Sequence, residues 1–332
     1  MLSEEQWNGY GQNGYMHLGK VMEPDEVEAL KQRADDIAKG VVTNPGVQMQ
    51  LDTGGAYEEL PQAVGRFNHG TLLYRKIQGL ETDDLFAPLV RHPLFLDICA
   101  RQYGRHAAIS IFRAMVMNKP AGQGTVLPWH QDGGDVWALD RDPLITLWVA
   151  LDPATKANGC MEVIPGTHRL GLLRSYGSTV TPEDVACYCP EERAHPLEVE
   201  AGHAVLIHNW LIHRSGVNTS RIPRRAVTVC YMDARTQSVL TGNHFPLVAG
   251  TLPESYPFVR QLRDDCMTLR ESIGTATVYA RSLEEEVVRL RASCEEAERC
   301  AKGLEGARLR WKLPPSAAKM LSRVYARLTN FR

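Results

Sequence analysis

Hydrophobic positions along the chain change their period twice, and each change marks a different kind of structure. Residues 24–38, "PDEVEALKQRADDIA", place Val27, Leu30 and Ile37 at helical spacing behind a Pro-Asp start, which predicts a helix. Residues 41–70 carry no period and are rich in Gly, Asn and Pro, so they read as loop. A second helix fits 84–104, "DLFAPLVRHPLFLDICARQYG", with an interruption near His92-Pro93, because a residue before proline is pushed out of helical geometry.

After residue 105 the pattern shortens. "AAISIFRAMVMNKP", "ITLWVALD", "GCMEVIPGTH", "HPLEVEAGHAVLIHNWLIHRSG" and "RRAVTVCYMDA" are short runs rich in Val, Ile, Thr and aromatics, separated by Gly, Pro and Asn turns. That is the pattern of an all-β sandwich or barrel over about 105–235, wrapped by the N-terminal helices. From Tyr256 the chain turns helical again. Leu283, Val287, Leu290, Cys294, Ala297, Ala301 and Leu304 follow alternating steps of four and three, a heptad seam on what reads as an appendage.

Composition narrows the class only a little. The 332 residues are 44% hydrophobic, enough for a sizeable core, and the net charge is −2. Nothing in that balance argues for nucleic acid. The charge is uneven, however: Arg299–Arg332 holds nine Lys/Arg against one Glu, a net of +8, so the rest carries −10. The N-terminus, "MLSEEQWNGYGQNGY", has no apolar core of a secretion signal, and "LITLWVAL" (144–151) falls far short of the ~18 apolar residues of a membrane span. Eight cysteines form no CxxC pair, and Cys187-x-Cys189 is a weak metal signal, so ordinary reduced thiols and a cytoplasmic location are expected.

The chemistry concentrates in "PWHQDGGDVW" (128–137). Alternate residues of a strand share a face, so His130 and Asp132 can reach one ion while Gln131 points away. Two imidazoles and a carboxylate on one side of a metal suit non-haem Fe(II) oxygenases. His203, His208 and His213 compete for the second imidazole; His213 is favoured by position, since it ends an apolar run and opens a turn. An HxD alone is also what a polar strand end looks like. Arg224, in "PRRAVTV" on the next strand, adds a guanidinium fork able to hold a carboxylate, and in a regular strand Arg225 points the other way.

Taken together, these residues resemble the phytanoyl-CoA dioxygenase family of Fe(II)/2-oxoglutarate-dependent oxygenases. The likeness runs from "LSEEQWNGYGQNGYMHLGKVMEPDEVEAL" through "YRKIQGL", "NKPAGQGTVLPWHQD" and "LWVALDPATKANGCMEVIPGTHR" to "AGHAVLIHNWLIHRSGVNTSRIPRRAVTVCY", about residues 3–235. It implies a mainly β fold, a double-stranded β-helix (jelly roll, cupin-like) core with helices outside, plus the C-terminal helical extension. It implies His130, Asp132 and His213 as iron ligands, and Arg224 as the partner of the distal carboxylate of 2-oxoglutarate. Trp148 matches an aromatic position of the co-substrate pocket in some members, and Ser215 a residue that assists co-substrate binding. Related halogenases carry a small residue in place of the aspartate, so Asp132 speaks against chlorination.

The expected activity is therefore oxidation by Fe(II), 2-oxoglutarate and O2, with ascorbate in support. Hydroxylation of an unactivated C–H is the default outcome, with desaturation or ring closure as the alternative fate. Two rival readings remain: a non-catalytic jelly-roll binding protein, and an assembly module whose working part is the C-terminal helix. The implied organisation is an oxygenase domain over 1–255, a heptad-patterned extension over 256–305 and a basic tail over 306–332. The loops 41–70, 133–142 and 236–256 should line the substrate pocket. Asp135, Asp140, Arg141 and Asp142 lean it towards a polyhydroxy or amine-bearing small molecule, sugar-containing or lipid-linked. In "SAAKMLSRVYARLTNFR" (316–332), Lys319, Arg323 and Arg327 share a helical face beside Met320, Val324, Leu328 and Phe331. Such a helix suits the inner membrane surface, its own domain or an acidic partner, and 283–332 is the segment expected to mediate peripheral contact or self-association.

Overall fold

The first helix is specified by its own ends. In α1 (Glu4–Asn13) the Ser3 hydroxyl accepts from the Gln6 N–H while the Gln6 side chain accepts from the Ser3 N–H, and Gly14 stops the helix at φ 81°. β1 (Tyr15–Lys20) follows, then α2 (Pro24–Ala38), which buries Val27, Leu30, Ala34 and Ile37 on the face their spacing marks. The computed structural model describes residues 2–54, 57, 64–65, 70–175, 177–251, 257–310 and 319.

The stretch read as loop over 41–70 is partly strand. β2 (Gln48–Leu51) pairs with β3 (Val64–Gly65) and with β4 (Tyr74–Gln78). "QMQL" has too few residues to announce a period; pairing with neighbours makes it a strand. The helix expected over 84–104 is two: α3 (Ala87–Val90) and α4 (Pro93–Tyr103), with the His92 ring accepting from the Leu94 N–H at the join.

The remaining strands are β5 (Ile109–Lys119), β6 (Leu127–Gln131), β7 (Ile145–Ala150), β8 (Met161–Val163) and β9 (Ser178–Thr179). After α5 (Pro182–Tyr188) come β10 (His195–Leu197), β11 (His203–His208), β12 (His213–Ser215), β13 (Arg224–Asp233) and β14 (Leu247–Ala249). Among the described residues they form two antiparallel sheets. The larger runs β1-β11-β7-β13-β5-β4-β2-β3 with β14 also on β5, and the smaller runs β10-β8-β12-β6-β9. This is a double-stranded β-helix with helices packed outside. Its large sheet extends beyond 105–235 at both ends, through β1 to β4 and β14.

Both faces of the large sheet are covered, which is why β7 and β13 are buried almost throughout and read as continuous apolar runs. One face packs with α1, α2 and α4 around Tyr10, Ile37, Phe95, Ile98, Leu147 and Tyr231. The other meets the small sheet through Trp148, Val205, Ile207 and Ala226 against Met161 and Val163. Burying each such side chain contributes roughly 1.5–3 kcal/mol. Between the sheets, next to this second layer, lies the cavity that holds the candidate chemistry.

Glu254–Arg332 is a separate compact unit built on α6 (Pro257–Arg310). Leu283, Val287 and Leu290 are 48%, 46% and 57% exposed there. The side chains of Ala297, Ala301 and Leu304 and, apart from Lys319, the basic tail 316–332 lie outside the described residues. No helix among the described residues is long and apolar enough to cross a membrane.

Candidate active site

β6 and β12 are paired so that His130 and His213 stand directly opposite each other, their rings 3.9 Å apart between centroids. Asp132 lies just past the end of β6, where its backbone N–H donates to the Asn209 carbonyl at 2.8 Å. The strand therefore supplies one ligand position and its exit turn the other, a small departure from two residues on one regular strand. Among the described residues, His130, Asp132 and His213 are the one cluster able to hold a metal, with ligand atoms all within 4.8 Å of one another.

The orientation and tautomer of both imidazoles follow from their backbone partners. His130 Nδ1 is 2.9 Å from the Pro128 carbonyl and His213 Nδ1 is 2.9 Å from the Leu211 carbonyl. A carbonyl only accepts, so Nδ1 donates in both rings and Nε2 is the atom each turns to a metal. Burial, followed by the neighbouring His213, pushes the His130 imidazole down to about 3, so it stays neutral and ready to ligate. Two imidazole nitrogens and one carboxylate facing a cavity fit Fe(II) with room for further ligands.

Gln131, between the two β6 ligands, points away and acts as a strut. It donates to the carbonyls of Gly171 and Trp210 and accepts from the Leu173 N–H, tying β6 to the loops beyond both ends of the site. His203 and His208 are not in the cluster. His203 lies 3.5 Å from Glu200, and His208 packs against His168 and Trp210.

The cavity in front of the cluster measures about 820 Å³ and is lined by both sheets, including Trp148, Ser215 and Arg224. Arg224 is only 5% exposed, donates to the Gly159 carbonyl at 3.0 Å and holds its guanidinium 5.8 Å from the Trp148 ring centre. Its Nε has no hydrogen-bond partner among the described residues. A buried donor without an acceptor is costly, and a carboxylate supplies what is missing. Burial lowers the Arg224 pKa to about 10, which leaves it charged at neutral pH. Gly159 sets this arrangement: its φ is +73°, and a Cβ there would meet the Gly216 carbonyl oxygen at 2.6 Å.

Other cavity residues were not legible in the sequence. Arg75, Lys76 and Arg113 all reach it, whereas Asp135, Asp140, Arg141 and Asp142 do not line it. Asp142 accepts from the Gly134 N–H and Trp210 Nε1, and Asp140 from the Gln237 N–H, so both fasten the loop that carries them. That loop contributes Val136 and Trp137, and 41–70 contributes Gln50 and Tyr57. None of the described residues of 236–256 lines the cavity. The pocket is thus cationic, its polarity coming from Arg75, Lys76 and Arg113 and not from the four residues expected, since Asp140 and Asp142 accept from backbone amides and the Trp210 indole. Burial lowers the Lys76 pKa to about 8, with the nearby Arg113 and Arg75 adding to the shift.

The model of the phytanoyl-CoA dioxygenase (PhyH) family matches residues 10–226, and the chain belongs to that family. The probable phytanoyl-CoA dioxygenase of Caenorhabditis elegans is 27% identical over 241 residues, covering 70% of this chain and 75% of the relative. The L-proline trans-4-hydroxylase of Streptomyces griseoviridis is 25% identical over 246 residues, covering 67% and 83%. Among solved structures, the non-heme alpha ketoglutarate dependent carbocyclase SnoK from nogalamycin biosynthesis superposes with a TM-score of 0.57 at 22% identity, over 75% of this chain and 97% of its own. EctD from S. alaskensis, with 2-oxoglutarate and 5-hydroxyectoine bound, gives 0.55 at 20% identity, over 76% and 82%. These structural likenesses establish the fold. Family and donor set together make the protein an oxidoreductase, a dioxygenase that uses Fe(II), 2-oxoglutarate and O2.

Proposed function

We propose that the enzyme hydroxylates an unactivated C–H of a small biosynthetic intermediate, with iron held by His130, Asp132 and His213 and 2-oxoglutarate held by Arg224. The observation that carries this reading is the pairing, in one cavity, of two Nε2 lone pairs and a carboxylate with a buried guanidinium whose Nε lacks a partner. Bound Fe(II) with 2-oxoglutarate supplies dioxygen activation and C–H oxidation, leaving succinate and CO2.

The chain's own contribution is positional. The Pro128 and Leu211 carbonyls fix the histidine tautomers, and the Asn209 carbonyl fixes the backbone at Asp132. Arg224 would pair with the distal carboxylate of 2-oxoglutarate, with Trp148 and Ser215 packing beside that co-substrate. The apolar layer of Trp148, Met161 and Ile207 keeps bulk water from this end of the cavity.

Relatives extend to hydroxylation of proline and, among solved neighbours, to a carbocyclase and an epimerase, so ring closure or desaturation by the same centre is the second reading. A sugar-containing or lipid-linked substrate belongs to the same proposal, as does peripheral contact of a cytoplasmic enzyme with a membrane through its tail. The test is succinate release from 2-oxoglutarate by the purified protein with Fe(II) and ascorbate in air. Iron-dependent succinate supports the reading, and its absence under conditions where the protein binds iron rejects it.

A further inference from the structure

The floor of the cavity is the shared inner face of β13 and β5, and it has a guanidinium at each end. Arg224 is paired in register with Lys119, and Arg113 with Cys230. Arg224 and Cys230 are six steps apart along β13, about 20 Å of strand at roughly 3.3 Å per residue. Between them the floor is Met117, Met115 and Thr228, which are smaller or uncharged.

Arg113 follows Lys119, Met117 and Met115 in the alternation of β5, and a local irregularity next to it sets Phe112 beside it. Register shifts between Cys230 and Tyr231, which face Arg113 and Ile111, so Phe112 is an extra residue on β5. Such a bulge bends the strand and re-aims the side chains beside it. The Arg113 guanidinium carbon then lies 4.9 Å from the Phe112 ring centre and 4.5 Å from that of Trp137, and the two rings stack at 4.8 Å. Aromatic faces hold a guanidinium without using its N–H groups, which leaves the fork free for an in-plane oxyanion. Arg113 Nε is buried and has no hydrogen-bond partner among the described residues. Trp137 is itself set by a constrained turn: Ala138, the next residue, sits at φ 53°, the one non-glycine in the left-handed region among the described residues.

Charge points the same way. Among the described residues, Asp132 is the only acidic side chain lining the cavity, against Arg75, Lys76, Arg113, Arg214 and Arg224. Arg214 is neutralised by Glu162 and Glu191. A divalent metal with Asp132, and a doubly charged 2-oxoglutarate with Arg224, cancel. Lys76, Arg75 and Arg113 remain; Arg75 donates to the Gln50 side chain and feels the charge of Asp52, and Arg113 has no ion-pair partner among the described residues of the wall.

We propose that Arg113, clasped by Phe112 and Trp137, is the substrate's anion subsite, and that the enzyme oxidises a small molecule bearing a carboxylate or phosphate. This rests on the proposed iron and 2-oxoglutarate site, which fills the Arg224 end. The substrate then lies between its anchor at Arg113 and the metal, and the carbon oxidised is one that the anchor holds in front of His130 and His213.

The test is calorimetry on the full chain loaded with Mn(II) and 2-oxoglutarate, titrated with phenyl phosphate, phenylacetate and the neutral 2-phenylethanol. At least one oxyanion should bind and the alcohol should not. The better of the two acids identifies the group preferred. Arg113→Met should weaken that binding roughly tenfold or more while Arg113→Lys keeps part of it, and 2-oxoglutarate affinity should be unchanged in both. Equal oxyanion binding by wild type and Arg113→Met, or none by wild type, overturns the subsite. Loss of 2-oxoglutarate affinity in Arg113→Met also overturns it, by placing Arg113 with the co-substrate. If wild type takes up neither Mn(II) nor 2-oxoglutarate, the iron-site reading itself has failed.

Discussion

Arg224 and Arg225 are neighbours on β13 and are bound on opposite faces of it. Arg225 is clasped by Asp152 at 2.8 Å and Asp35 at 3.0 Å, while Arg224 turns into the cavity with its Nε unmatched. One guanidinium is spent on the fold, and the other is left for a ligand.

The two should therefore fail differently. Arg224→Ala is expected to raise the KM for 2-oxoglutarate roughly tenfold or more, since a charge-assisted pair is worth a few kcal/mol, with a small change in Tm. Arg225→Ala leaves buried Asp152 with the more distant Lys31, 3.7 Å away, as its cation and should cost about 3 kcal/mol of stability. Denaturation and steady-state kinetics on both variants separate the effects. A KM effect confined to Arg225→Ala would show that the carboxylate partner is on the other face.

How far the sequence speaks is clear from this strand. Alternation places Arg224 and Arg225 on opposite faces, and the order of motifs leads to a jelly roll with His130, Asp132 and His213 in one place. Arg113 is different. In "ISIFRAMV" it reads as one polar interruption of an apolar strand, because the bulge that sets Phe112 beside it is made by pairing with β13 and Trp137 comes from a distant loop. Asp140 and Asp142 mislead for a related reason: a local acidic run does not show that backbone amides and an indole will claim these carboxylates. β1 and β2 are equally silent, being strands through their partners and not through period.

Acid should destabilise the fold through His208. Burial, with His168 adjacent, lowers its imidazole to about 4 from 6.5, and its Nδ1 accepts from the Trp210 N–H at 3.1 Å. The unfolded chain takes up a proton below 6.5 that the folded chain refuses until about 4. Stability from this group is thus complete above pH 6.5 and falls away as pH drops towards 4. His208→Gln should flatten the Tm-against-pH curve in that window and leave metal binding intact. An unchanged curve would remove His208 as the titrating group.

The exposed heptad positions Leu283, Val287 and Leu290 give α6 an apolar seam, and the prediction is that a second copy of the same helix covers it. Light scattering on the full chain should give a mass above the 37.0 kDa of one copy. The double variant Leu283→Glu, Leu290→Glu should return it to a monomer without altering turnover. A monomeric wild type would reject self-association through this face.

The central claim is that His130, Asp132 and His213 form a working iron site, and it is tested most directly by comparing wild type with Asp132→Ala. The measurement is succinate formed from 2-oxoglutarate with Fe(II) and ascorbate, alongside iron retained after desalting. Removing one of three protein ligands should abolish iron-dependent succinate and sharply reduce retained iron, with Tm little changed. Wild-type succinate from the folded Asp132→Ala protein would contradict the account.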